Sequence, residues 1–172
     1  MGLFSGIVKW FTAGNEYRGS LKELIEYLPV GDLELLVAWR KRYIPYRSDT
    51  NTGKPEGEYD FTQEYNGADL TIKMRGGDCE SIAAVYSEVI RAWKGWSSSH
   101  VQFTFIDENT GGQLKAHDVA VFTTPSGKHG WIDGGINWGN RLDMEKFYVD
   151  WGWKLRQLWR VNDLGEKLEV LP

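Results

Sequence analysis

The sequence predicts an α+β domain, with helices first and then a run of antiparallel strands. Three observations carry this. Apolar residues in the first 45 positions recur at intervals of three and four, a further helical stripe runs from Glu80 to Lys94, and after Val101 the pattern changes to period two with turn residues between the runs. A chain of 172 residues is long enough for one such core, and no internal repeat or linker divides it. The expected organisation is a single domain: a helical part over 1–45, a long active-site loop over 46–77, and a helix with an antiparallel sheet over 78–172.

In chain order, Leu3, Phe4, Ile7, Val8 and Phe11 fall at helical spacing, which suits a helix docked on its own core. Ser20 and Glu23 have capping-box spacing ahead of Leu21, Leu24, Ile25 and Leu28, and Pro29 ends that helix. Asp32 reads as the N-cap of a second helix carrying Leu33, Leu36, Val37 and Trp39, which stops at Ile44-Pro45. Residues 46–77 are rich in Gly, Asp, Thr, Asn and Tyr without sustained periodicity, and a loop of that length in a small domain usually serves function. Ile82, Tyr86, Val89, Ile90 and Trp93 then mark the clearest helix, with Gly95 placed for its C-cap. Val101 to Ile106 alternates as a strand, and Asp107 to Gly112 is turn chemistry leading to a second strand through Phe122. Asp107 to Gly112 has a calcium-loop flavour but lacks the full ligand set and a closing Glu, so a hairpin turn is the expectation. Pro125-Ser126-Gly127 returns the chain through Trp131-Ile132-Asp133. Asn137-Trp138-Gly139-Asn140 reads as a loop beside the site, and Leu155–Val161 and Leu168–Leu171 read as further strands.

Composition excludes several classes. With 24 acidic and 20 basic residues the formal charge is -4, so no broad positive field exists to track a phosphate backbone and nucleic acid is not an expected partner. No apolar run approaches the roughly 20 residues of a membrane span, and the first residues lack the basic region and apolar core of a secretion signal. The expected location is therefore the cytoplasm, or a virion. One cysteine rules out an intrachain disulfide and a multi-cysteine zinc site. Nine tryptophans, five of them between Trp131 and Trp159, suit core packing.

The chemistry centres on Arg75-Gly76-Gly77-Asp78-Cys79-Glu80-Ser81, which places the one cysteine at the start of the clearest helix. Helix-start N–H groups point at a developing oxyanion and favour thiolate, while the charges of Asp78 and Glu80 oppose it. The thiol therefore needs a histidine. His117 opens a strand and Asp133 ends the next; a turn centred near Pro125 sets the two opposite each other, where an acid can orient the imidazole. His129 lies close to the turn and His100 follows three serines, so both read as surface residues.

The pattern Gly77-Asp78-Cys79-Glu80, the amphipathic helix, the strand opening with His117 and the strand ending Trp131-Ile132-Asp133 together resemble the transglutaminase-like superfamily, especially its small bacterial and phage cysteine-peptidase members with a papain-like core. The match spans roughly residues 40–140. It implies a Cys79–His117–Asp133 triad, thioester chemistry on peptide or amide bonds, a peptide or protein substrate, and neither metal nor other cofactor. Relatives often carry a second acid after the Cys-Glu pair, where this chain has Ser81.

From residue type alone, Cys79 is the nucleophile, His117 the base and then acid, and Asp133 the group that fixes the imidazole. The Cys79 N–H is the natural first oxyanion donor, with Gln63 the upstream side-chain candidate for the second and Tyr59 or a backbone N–H the alternatives. Tyr59, Tyr65 and Trp138 are the expected substrate-binding aromatics, walling a groove built from the 46–77 loop and the segment after Asp133. Two other readings stand beside a hydrolase: a cross-linking acyltransferase with the same triad, and a catalytically silent peptide-binding or virion-associated structural module.

Overall fold

The computed structural model describes residues 19–46, 67–161 and 167–170. The expected helix at Leu3–Phe11 and the residues Tyr59, Gln63 and Tyr65 lie outside them. Among the described residues the chain runs through helices α1 (Leu21–Tyr27), α2 (Leu33–Tyr43), α3 (Ala68–Met74) and α4 (Cys79–Ala92). Strands β1 (Ser97–Asp107), β2 (Gln113–Thr123), β3 (His129–Asp133) and β4 (Gly135–Trp138) follow, then helix α5 (Arg141–Asp150) and strands β5 (Trp153–Val161) and β6 (Lys167–Val170). The six strands form one antiparallel sheet in the order β4-β3-β2-β1-β5-β6. The α+β class is thus observed.

The helix starts follow from their caps. Ser20 Oγ accepts from Glu23 N at 3.3 Å while Glu23 Oε2 accepts from Ser20 N at 2.8 Å, and Asp32 Oδ1 accepts from Leu35 N at 2.9 Å. Such caps contribute about 1 kcal/mol each, whereas each fully buried aliphatic side chain contributes roughly 1.5–3 kcal/mol. Packing therefore decides where the helices sit. α4 is buried nearly all round, through Ile82, Ala83, Ala84, Val85, Tyr86, Val89 and Ile90, because α1, α2 and α3 cover one side and the sheet the other. Ala120, Phe122 and Ile132 supply the sheet side of that core.

Alternation sends the neighbouring residues to the other face. There Val101, Phe103, Phe105, Val119 and Trp131 pack with Leu158 of β5 and with Met144 and Tyr148 of α5 in a second core. Most of its aromatic weight comes from the tryptophan-rich last quarter: Trp153 stacks on Phe105 at 4.0 Å between ring centroids. Trp138 and Trp151 remain about half exposed.

Four local expectations change. Residues 68–74 form a helix where a continuous loop was expected; α3 lacks a side-chain cap and is held by burying Ala68, Thr71 and Ile72. Gly135–Trp138 is a strand rather than a loop, since it pairs with β3 from Asp133↔Gly135 to Gly130↔Trp138. β1 begins at Ser97, so His100 is no surface residue: it pairs with Ala120 and is buried, 1% exposed. Finally, Ala120 pairs with Ile132, which sets Asp133 across from Val119 and not from His117. That slip of two residues preserves the face, and His117 becomes the diagonal neighbour of Asp133.

Candidate active site

Cys79 is the first residue of α4. Asp78 caps the helix, its Oδ1 accepting from Ser81 N at 3.1 Å, which leaves the Cys79 N–H among the helix-start donors without an intrahelical acceptor. Gly77 allows a close approach to the helix: a Cβ there would lie 2.5 Å from Ser81 Cβ. The backbone at Gly77 also bridges to Tyr46, tying the nucleophile's turn to the end of the helical part.

The sheet supplies the other groups. β3 pairs with β2 only from Ala120 to Thr123, so the earlier half of β2 has no β3 partner. At that edge side chains from both faces meet the start of α4, and Cys79, His117, Asp118 and Asp133 line one cleft of about 40 Å³ with Arg40, Tyr46 and Tyr86. The volume is that of one or two water molecules, enough for a reacting group. Cys79, His117 and Asp133 are all partly buried.

His117 Nε2 lies 3.1 Å from Asp133 Oδ2. Its N–H does not point at that oxygen, and among the described residues it has no aligned acceptor. Tyr148 takes the aligned position, donating its hydroxyl to the same Oδ2 at 2.5 Å. The imidazole is held edge-on by Phe103 and Trp153, with ring centroids 5.5 and 5.4 Å away. Catalytic hydrogen bonds are often poorly aligned before substrate binds and tighten in the complex.

The electrostatics separate the groups. Burial pushes the Cys79 thiol well above its ordinary range, and the charges of Asp118 and Asp78 push it further; a backbone hydrogen bond from Asp118 acts the other way. Asp133 is the reverse case: burial would raise it, but His117, the Tyr148 hydroxyl and Arg40 together hold it below the usual carboxylate value. Burial raises Tyr148 strongly, with Asp133 adding to the effect. The site thus combines a neutral thiol, an ionised acid and an imidazole in one cleft.

Trp138 stands elsewhere. It pairs with Gly130 at the far end of the β3–β4 hairpin, packs edge-on against Phe122 and carries Lys128 Nζ 3.6 Å over its ring, and it is not among the described residues lining the cleft. A larger cavity of about 350 Å³ lies near that end, between α5 and an apolar floor that includes Val101, Val121 and Trp131. Its lining holds Ser97, Ser98, Ser99, Thr123 and His129 but no cysteine; Cys79 stands in the smaller cleft, with His117 and Asp133.

Arg40, Tyr86 and Tyr148 escape the sequence reading as residues of the site. Arg40 had a signal, because it continues the stripe Leu33, Leu36, Val37 and Tyr43 that α2 buries; its Nε donates to the Tyr86 hydroxyl at 3.0 Å. Tyr148 had one too, in the Asn140–Asp143 capping box that begins α5.

No family model matches the chain, and no curated protein matches it. Among solved structures, Legionella pneumophila LapG is similar at 18% identity and a TM-score of 0.45, covering 83% of this chain and 73% of that one. A calcium-bound form of LapG is similar at 19% identity and a TM-score of 0.43, covering 88% and 81%. Among the described residues no helix is long and apolar enough to cross a membrane.

Proposed function

We propose that this protein is a cysteine peptidase or amidase of the transglutaminase-like type, working through Cys79, His117 and Asp133. One observation carries the reading: a helix-start cysteine shares a cleft with a histidine whose Nε2 is 3.1 Å from a carboxylate held ionised. In this mechanism His117 takes the Cys79 proton as sulfur attacks the amide carbonyl, and the Cys79 N–H stabilises the oxyanion. The C–N bond breaks as His117 gives its proton to the leaving amine, and the acyl group stays on sulfur as a thioester. Water, losing a proton to His117, then attacks the thioester to release the carboxylic acid and restore the thiol. Asp133 stabilises the imidazolium throughout. Gln63 is the proposed second oxyanion donor, and Tyr59 and Tyr65 the proposed substrate contacts.

Iodoacetamide labelling at neutral pH, followed by cleavage of a peptide library, tests the reading. The folded protein should label at Cys79 and cleave, Cys79→Ser should do neither, and His117→Ala should label far more slowly. Cleavage that survives Cys79→Ser, or a thiol that labels only after unfolding, removes the triad.

A further inference from the structure

Behind the nucleophile stands a second imidazole–carboxylate couple that the mechanism above does not use. His100 Nε2 and Asp118 Oδ1 are 2.7 Å apart, with each side chain 1% exposed, and Gln102 Nε2 donates to the other carboxylate oxygen at 3.2 Å. The couple faces α4, on the opposite face of the sheet from His117, and its carboxylate residue lines the Cys79 cleft. We propose that His100 and Asp118 are positioning residues for Cys79: they clamp the β2 backbone against β1 and set a fixed carboxylate beside the sulfur, so that the proton leaves only as His117 takes it during attack.

The geometry gives three supports. A buried imidazole–carboxylate couple costs desolvation that apolar residues of similar volume would not, and a strand position facing a core of Ala120, Phe122 and Ile132 would accept such residues. Its stability therefore does not explain its presence. The two donors on β1, His100 and Gln102, leave the Asp118 carboxylate one orientation, which also fixes the peptide linking it to His117. Asp118 and its neighbour His117 both line the cleft with Cys79, so a clamp on this stretch of β2 fixes carboxylate and base together against the start of α4.

The surrounding charges give the direction. Around Cys79 stand Asp78 at the N-cap of α4, Glu80 and Tyr86 on it, Arg40 from α2 and Tyr46 after it, His117 and Asp118 from β2, Asp133 from β3 and Tyr148 from α5. Arg40 is the one fixed cation among the described residues lining the cleft, and its Nε is turned to Tyr86. The charges of Asp118 and Asp78 act on the thiol in the same direction as its burial. A cysteine so placed rests as the thiol, unlike one paired in advance as thiolate and imidazolium.

The inference rests on Cys79 as the nucleophile, and its test separates the two claims. The rate of Cys79 alkylation by iodoacetamide is measured against pH for the full chain and for Asp118→Asn, which keeps the size and an acceptor for His100 but removes the charge. The inflection should fall by about one pH unit or more. The double variant His100→Leu/Asp118→Leu, which substitutes apolar side chains for the whole couple, should fold and shift the same way, and it decides the question if Asp118→Asn does not fold. An inflection unchanged or raised in the folded variants overturns the proposal, because a merely structural couple would not move it. Variants that shift as expected in a protein that cleaves no peptide keep this inference and defeat the peptidase reading.

Discussion

Asp133 Oδ2 serves two partners at once, the Tyr148 hydroxyl at 2.5 Å and His117 Nε2 at 3.1 Å. The shorter contact belongs to a side chain that is fully buried, tilted against Phe103 and stacked on Trp153, so the phenol cannot move aside easily. Tyr148 therefore fixes the acid, and the acid fixes the imidazole. Tyr148→Phe keeps the packing and removes one donor that holds Asp133 low. The expected cost is roughly 1–3 kcal/mol of stability and about a tenfold loss of kcat/KM, with the acid limb of kcat/KM moving to higher pH as Asp133 becomes easier to protonate. The limb is the diagnostic: a purely structural tyrosine would lower the melting temperature and leave it in place.

The start of α4 is where the local chain is most constrained. Gly77 has no room for a methyl group, with Ser81 Cβ 2.5 Å and Thr71 Cγ2 3.3 Å from where it would sit. Gly77→Ala should destabilise by about 1–3 kcal/mol and slow Cys79 alkylation by displacing the turn. Adding Ser81→Gly, which removes the nearer atom, should restore the alkylation rate even though glycine in a helix costs about 1 kcal/mol. A double variant as slow as the single one places the constraint elsewhere. This turn and its helix were legible in the sequence because caps, glycines and a 3.6-residue stripe coincide there, and so were the shared face of His117 and Asp133 and the parity of the hairpin. The register was not, since a turn motif alone does not count the residues in a loop. α5 was missed because Leu142 and Val149 are exposed and only Met144 and Tyr148 are buried, too sparse a stripe to read. His100 was misread because three serines precede it, although Ser98 Oγ donates to the Val121 carbonyl and belongs to the strand. Asp118 follows His117 directly, and its partners His100 and Gln102 come from β1, which no local pattern announces.

At the scale of the whole molecule, two cores share one sheet and the ionisable groups between them couple stability to pH. Burial first, and then the acids around them, raise Cys79 and Tyr148; burial also raises Tyr86, partly offset by Arg40. A group whose folded pKa is raised contributes stability in full below its unfolded pKa and loses it as pH rises toward the folded value. Unfolded thiols ionise near about 8.5 and phenols near about 10, so the alkaline limb should begin with Cys79 and steepen when the tyrosines join it. Asp133 acts with the opposite sign: the stability from its lowered pKa is present above about 3.9, the unfolded value, and is lost as pH falls below it. Urea midpoints of the full chain and of Cys79→Ser, measured from about pH 3 to 10, separate these contributions. Between about pH 8.5 and 10 the full chain should lose stability with a slope of up to about 1.4 kcal/mol per pH unit from the thiol alone, and Cys79→Ser should be nearly flat there. Both should share the acid limb, because Asp133 is unchanged. Parallel curves above pH 8.5 would mean that the thiol ionises as readily in the folded protein as in the unfolded chain, and both the neutral resting cysteine and the carboxylate beside it would have to be abandoned.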